Sequence, residues 1–325
     1  MMMSKRSARG YFSCATLVLL LAVSKASVAG EAAAERAAYL VTPTALAREL
    51  ADPDAGQRPL ILEVGRGPED DGSEFANAGH PPGAAFLPWR IVAARRAGLP
   101  NQIPPLAELE AALRLLGVNQ NTRIVLYDRG AGLHAGRAWA VFDYAGLAGQ
   151  TRLLDGQLAG WLDSDAELAT GTAQARSPGT VALRPAPEKV LAGERVADLV
   201  HAAVLREPST LPRLRILDAR PPQEFSGEIA GDEVPRPGHI PGATSLFWRT
   251  TIGPDEAPSF KDEATLREMF AAAGATAGDE LLVYCRTGGQ AGHLYLTARM
   301  LGFSVRLYDG SFVDWSQAEE RPVAR

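Results

Sequence analysis

The segment Val283-Tyr284-Cys285-Arg286-Thr287-Gly288-Gly289-Gln290-Ala291 passes from an apolar run through a thiol into a glycine-rich turn, then into a helical pattern. A thiol placed where a buried strand ends and a helix begins is set up for nucleophilic chemistry. Successive backbone N–H groups of such a turn form a concave nest for an anion, and the field at a helix start favours a thiolate. Gly288 and Gly289 permit backbone angles that a side chain would forbid. Arg286 adds a cation beside the thiol. A cysteine at a strand end can equally be a small buried hydrophobe. The loop around it favours the reactive reading, and so does the cysteine count. The chain has two, and the other, Cys14, lies near its start.

The frame that must hold this loop is legible on both sides of it. Arg215–Asp218 reads as a buried strand, and Gly242–Phe247 holds another short one. Glu263–Ala273 is helical, with Leu266, Met269 and Phe270 on one face and Gly274 as its stop. Leu281–Tyr284 is an apolar strand, Gln290–Leu301 is helical and closed by Gly302, and Ser304–Tyr308 is a strand. Strands separated by helices imply right-handed crossovers and an α/β fold: a mostly parallel sheet flanked by helices.

That frame occurs twice. His80-Pro81-Pro82-Gly83-Ala84 is answered by His239-Ile240-Pro241-Gly242-Ala243, with Trp89 and Trp248 following. Ile61-Leu62-Glu63-Val64 is answered by Ile216-Leu217-Asp218-Ala219, and Arg123–Asp128 by Glu280–Cys285. Leu154-Asp155-Gly156 with Trp161 is answered by Tyr308-Asp309-Gly310 with Trp315. The order and near-constant offset mark two copies of one domain. Asp128 stands where the second copy has Cys285, and a carboxylate does not replace a nucleophilic thiol. The boundaries expected are 30–165 for a silent first domain, 166–189 for a linker rich in Ala, Thr, Gly and Pro, and 190–325 for the catalytic domain.

Composition agrees with two globular domains. Of 325 residues, 46% are apolar and 22% charged, and the net charge is -5, so no basic excess exists for nucleic acid to use. Two cysteines build neither a disulfide framework nor a cysteine-rich zinc site. Residues 1–29 carry Lys5, Arg6 and Arg9, an apolar run from Ala15 to Val23, and then Ser27-Val28-Ala29. This pattern predicts a cleavable signal peptide, a periplasmic or secreted protein, and no stable membrane insertion after cleavage. The apolar run is short for an uncleaved anchor. Cys14 precedes that run, which argues against a lipoprotein attachment there.

From about Tyr39 to Trp315 the chain resembles a tandem rhodanese, a sulfurtransferase of two rhodanese-like domains. The motifs that carry the resemblance are Asp218-Ala219-Arg220, Gly238-His239-Ile240-Pro241-Gly242-Ala243, the Cys285 loop, and Tyr308-Asp309-Gly310-Ser311. The resemblance implies that Cys285 takes the outer sulfur of a small anionic donor as a persulfide, which a thiophilic acceptor (cyanide or a thiol) removes. It implies that the backbone N–H groups of Arg286, Thr287, Gly288, Gly289 and Gln290 stabilise that sulfur. The first domain would wall the cleft. Asp218 and Arg220, at the end of a strand, are expected to brace the loop as a charge-assisted pair.

Arg286 is similar to the residue that thiosulfate-type rhodaneses carry after the cysteine, whereas the 3-mercaptopyruvate type has Cys-Gly-Ser-Gly. Thiosulfate is therefore the expected donor, with 3-mercaptopyruvate as the alternative. Thr287 departs from the thiosulfate type, where a second cation stands. Glu224 departs too, and would oppose a dianionic donor unless it points away. A non-enzymatic sulfur-carrier or partner-binding module is the reading from another class. A cysteine-dependent phosphatase is disfavoured, because the position that would hold its phosphate-clamping arginine is Ala291. His80 and His239 recur in both copies and read as structural, and His293 lacks a visible acidic partner. His134 and His201 show no ligand spacing, so no metal is expected. No phosphate-binding loop of the Walker or dinucleotide type is present, and no cofactor is expected.

Overall fold

Apolar runs too short for a helix become strands covered on both faces. Leu60–Val64 is buried along its whole length, as is Ile124–Tyr127, the pattern that parallel sheets with helices on both sides require. The computed structural model describes residues 35–52, 58–172, 175–205 and 213–325, without the side chains of 203–205. The expected signal segment, 1–29, lies outside the described residues. Among those described, no helix is long and apolar enough to cross a membrane. Met1–Ala38 forms one unit, in which the Ala38 N–H donates to the Glu35 carbonyl at 3.1 Å. Tyr39–Arg325 forms the other and contains both sheets.

The first sheet is built from β1 (Leu40–Val41), β2 (Leu60–Val64), β3 (Ala85–Leu87), β6 (Ile124–Tyr127) and β7 (Thr151–Leu154), in the order β1-β7-β6-β2-β3. Between its members, β4 (Ala94–Arg96) and β5 (Leu99–Gln102) form an antiparallel hairpin. The second sheet holds β8 (Val190–Leu191), β9 (Leu214–Asp218), β10 (Ala243–Ser245), β11 (Glu280–Tyr284) and β12 (Ser304–Tyr308), in the order β10-β9-β11-β12-β8. Read from the other edge, this is the same order as in the first. Every pairing within both sheets is parallel. The expected strand Gly242–Phe247 contracts to β10, and the helices expected at 263–273 and 290–301 run Glu263–Ala272 and Gly289–Met300.

The stretch 166–189 lies along the first half and is tied to it. Ala169 exchanges backbone hydrogen bonds with His80 at 2.9 Å each way, and the Val181 N–H donates to the Val118 carbonyl at 3.1 Å. Val181 itself is fully buried. Its lack of periodicity reflects strand-like edge contacts made one residue at a time. His80 stacks on Phe75 and His239 on Phe225, at centroid distances of 4.1 and 3.9 Å. The two histidines hold equivalent turns in the two halves.

The halves meet at helices Leu133–Tyr144 and Gly289–Met300. A Cβ on Gly136 would lie 2.7 Å from the His293 Cα, and one on Gly292 would lie 2.6 Å from the Arg137 Cα. Backbone therefore touches backbone at the crossing, which only glycine permits. Further along, the buried Asp143 carboxylate accepts from Tyr295 Oη at 2.7 Å and from Lys189 Nζ at 2.6 Å. His293 is fully buried in this interface, with Nδ1 3.0 Å from the Gly132 carbonyl and Nε2 3.1 Å from Thr251 Oγ1.

Burial holds the His293 imidazole down to about 4, against the ordinary 6.5. The unfolded chain takes that proton first as pH falls, so folding stability present above about 6.5 should decline down to about 4. One proton over this span is worth about 3 kcal/mol. Urea denaturation of the native protein across this range should show that loss, and His293→Gln should flatten it. An unchanged slope in the variant would assign the acid sensitivity to other groups.

Candidate active site

β11 delivers the thiol. Cys285 follows Tyr284 at the carboxyl end of that central strand, is buried, and is the free cysteine of the described residues. Its backbone is fixed from the neighbouring turn: its N–H donates to Ser311 Oγ at 3.3 Å and its carbonyl accepts from the Phe312 N–H at 2.9 Å. Its Sγ accepts the Gly288 N–H at 3.0 Å. Gly288 caps the following helix in the left-handed region, with φ at 97°. Gly289 does not use the freedom a glycine has. It is the first helical residue, has no positive φ, and meets only Leu133 Cδ2, at 3.4 Å, where a Cβ would stand.

A cavity of about 260 Å³ opens over this loop, with Cys285, Arg286, Thr287, Gly289 and Gln290 on one side. Its other wall comes from the first half: Arg66, Trp89, Asn101, Leu133 and His134. Trp89 Nε1 donates to Asn101 Oδ1 at 3.1 Å, and Asn101 Nδ2 donates to Thr287 Oγ1 at 2.9 Å. The hairpin of the first half thus holds the loop of the second. Gln290 Oε1 is buried and has no hydrogen-bond partner among the described residues. Arg66 is paired with Glu74. Burial lowers the His134 imidazole below its ordinary range, and Asp128 partly offsets this. Trp89 had a sequence signal, through the repeat; Arg66 lies on a loop, Asn101 in β5, and Leu133 and His134 open the helix Leu133–Tyr144.

Two expectations change with the geometry. Asp218 and Arg220 do form a pair, with Arg220 Nε 2.9 Å from Asp218 Oδ1 and Nη2 2.6 Å from Oδ2. Its contacts, however, run to the Gly238 carbonyl at 2.7 Å and to the Phe312 ring, 4.0 Å beneath the guanidinium. The pair borders the loop through Phe312, whose N–H holds the Cys285 carbonyl, and through Tyr284, whose ring centroid lies 5.8 Å from the guanidinium. Arg286 is not a free cation. Its Nη1 lies 3.3 Å from Asp232 Oδ2, and its Nε lies 3.7 Å from Glu224 Oε2. Glu224 therefore points at Arg286. Burial pushes its carboxyl up, while Arg286 and Arg220 pull it back.

The first half shows what the same nest does with another occupant. The Asp128 carboxylate accepts four backbone N–H groups: Gly130 at 2.8 Å, Gly132 at 3.0 Å, His134 at 2.9 Å and Ala135 at 3.0 Å. The Asp128 N–H donates to Gln157 Oε1 at 2.9 Å, as the Cys285 N–H does to Ser311 Oγ. Gln157 and Ser311 share an unusual backbone, with φ at 54° and 53°.

Comparison with known proteins gives the same two-part division. The Rhodanese-like domain family matches residues 43–164 and 201–318. A protein of Pseudomonas aeruginosa named probable 3-mercaptopyruvate sulfurtransferase is 34% identical over 295 residues, covering 88% of this chain and 98% of its own. The thiosulfate sulfurtransferase of Azotobacter vinelandii is 31% identical, over 75% of this chain and 85% of its own. The crystal structure of SseA from Escherichia coli, a 3-mercaptopyruvate sulfotransferase, superposes with a TM-score of 0.68 at 28% identity. That match covers 84% of this chain and 98% of the other.

The Asp128 nest makes a stability prediction. Asp128→Ala leaves four backbone donors, those of Gly132 and Ala135 buried, without their charged acceptor, which should cost about 3 kcal/mol. Asp128→Asn retains acceptor oxygen and should cost less. Chemical denaturation measures both. A loss within about 1 kcal/mol for the alanine variant would mean that the donors find other partners.

Proposed function

The chain belongs to the rhodanese family of sulfurtransferases, and from that premise we propose that Cys285 is the nucleophile that carries the sulfur. The observation that carries the reading is the Cys285 Sγ held by the Gly288 N–H at 3.0 Å beneath a small cavity between the halves. The thiolate attacks the donor's transferable sulfur. A sulfur–sulfur bond forms as the donor's bond to that atom breaks, and the donor fragment leaves with the electron pair. The loop's N–H groups, in a nest of the kind that favours anions, stabilise the persulfide. A thiophilic acceptor then attacks the outer sulfur, and Cys285 leaves as thiolate.

For the donor, the charge around Arg286 favours one class. Two carboxylates face its guanidinium, so the pocket offers less net attraction to a dianion than Arg286 alone would. This supports a donor with a single carboxylate, of the 3-mercaptopyruvate class, over thiosulfate. Breaking its carbon–sulfur bond leaves an enolate that takes up one proton. Thiosulfate is the second reading. It rests on Arg286 itself, with Arg66 across the cavity, and relatives of both names are similar to this chain.

Cys285→Ser should lose turnover by orders of magnitude with folding intact, and donor-treated native protein should gain one sulfur on the Cys285 peptide by mass spectrometry. Retained turnover would sink the mechanism. Glu224→Gln removes a negative charge beside Arg286 and should raise kcat/KM for thiosulfate by roughly tenfold, with a smaller change for 3-mercaptopyruvate. An equal shift for both donors would remove Glu224 from donor choice.

We also propose that residues 1–29 are removed on export, on the strength of Ser27-Val28-Ala29. N-terminal sequencing of extracytoplasmic material should read from Gly30 or Glu31. An intact Met1 on cytosolic protein would refute it.

A further inference from the structure

Each crossing helix carries, directly after the glycine of closest approach, one polar side chain that reaches the other half's loop. From the second half, His293 meets the Gly132 carbonyl beneath the Asp128 loop. From the first half, Arg137 lies beneath Gly288 of the Cys285 loop. Arg137 is fully buried. Its Nε donates to the Val92 carbonyl at 3.2 Å, and its Nη2 donates to the Asn101 carbonyl at 2.6 Å and to Asp309 Oδ1 at 2.8 Å. Its Nη1 is buried and has no hydrogen-bond partner among the described residues. That nitrogen lies 3.2 Å from the point where a Cβ on Gly288 would stand. The Gly288 N–H is the one that holds the Cys285 Sγ.

An arginine stays charged in the interior, and burying one is costly unless its surroundings compensate. Asp309 compensates from one side only. Its Oδ1 takes Nη2, and its Oδ2 accepts the Ile103 N–H at 2.7 Å. The pair is therefore a dipole whose positive end faces the loop. At the equivalent place under the Asp128 loop stands a neutral imidazole, and there the nest already holds its own carboxylate. The cation sits under the loop that has to receive an anion.

We propose that Arg137, from the otherwise silent half, is a positioning residue whose buried charge biases the Cys285 loop toward anionic sulfur species. The proposal rests on Cys285 being the reactive thiol. It is tested by alkylating Cys285 in the full chain with iodoacetate and with iodoacetamide. Both reagents consume the same thiolate, so the ratio of their rates reports the loop's preference for an anion. Arg137→Gln should lower that ratio roughly threefold to tenfold, and Arg137→Lys should keep most of it. Asp309→Asn, which removes the compensating charge, should move the ratio the other way. A brace without electrostatic effect would change both reagents equally in both variants, and that result would overturn the proposal. If Arg137→Gln fails to fold, Asp309→Asn decides alone, and a ratio unchanged or lowered there overturns it. Native protein whose Cys285 reacts with neither reagent would instead overturn the assignment of the nucleophile, and this proposal with it.

Discussion

Two helices cross so closely at Gly136 and Gly292 that each backbone touches the other. The site depends on that contact. A side chain at either position would collide with the opposing backbone and push the halves apart. The cavity over Cys285 is walled from both halves, so its size follows from the separation that the glycines allow. The hydrogen bond from Asn101 to Thr287 works over the same gap, and neither partner could reach across a wider one. The polar residues that follow the glycines, Arg137 and His293, are buried because the crossing leaves them nowhere else to go.

Within this frame, one local structure serves two ends. Both halves form a strand, a tight turn and a helix, and in both the turn's backbone N–H donates to the side chain at the strand's carboxyl end. In the first half that side chain is a carboxylate whose two oxygens occupy four donors. A nest so filled is a piece of structure, and it can hold no second anion. In the second half the occupant is a sulfur, with one donor on it at 3.0 Å and a cavity above. On the mechanism proposed above, replacing two oxygens by one larger, softer atom leaves donors to serve a sulfur that arrives. On the same reading the first half is silent by occupancy as well as by lacking a thiol at position 128.

Much of this was legible in the sequence, for identifiable reasons. The strands are short buried apolar runs, the helices carry 3.6-residue periodicity with glycine stops, and the repeat sets corresponding residues side by side. Such signals are local. The wall formed by Arg66, Asn101 and His134 was not legible, because those residues meet the loop across more than a hundred positions of chain and share no pattern with it. A glycine pair does not say which member takes the left-handed angle. Gly288 takes it as the cap, and the helix begins one residue earlier than its periodicity suggested. Glu224 was noticed as a departure in the sequence, but only its position 3.7 Å from Arg286 shows which way it faces.

The charges around the loop then form a graded arrangement. Arg286, at the cavity edge, is partly exposed and faces two carboxylates, one of them, Asp232, almost wholly in solvent. That contact is screened and easily exchanged for a ligand's own anionic group. Arg137 lies deeper, out of reach of solvent, and its single carboxylate partner is held by another donor. Its field is screened far less and does not depend on salt or on a ligand's approach. An exposed cation with exchangeable partners suits selection among donors, while a buried one with fixed partners suits steady support of whatever anion the thiol carries. If Arg137 acts as proposed, the first half takes part in the chemistry although Asp128 stands where the second half has Cys285.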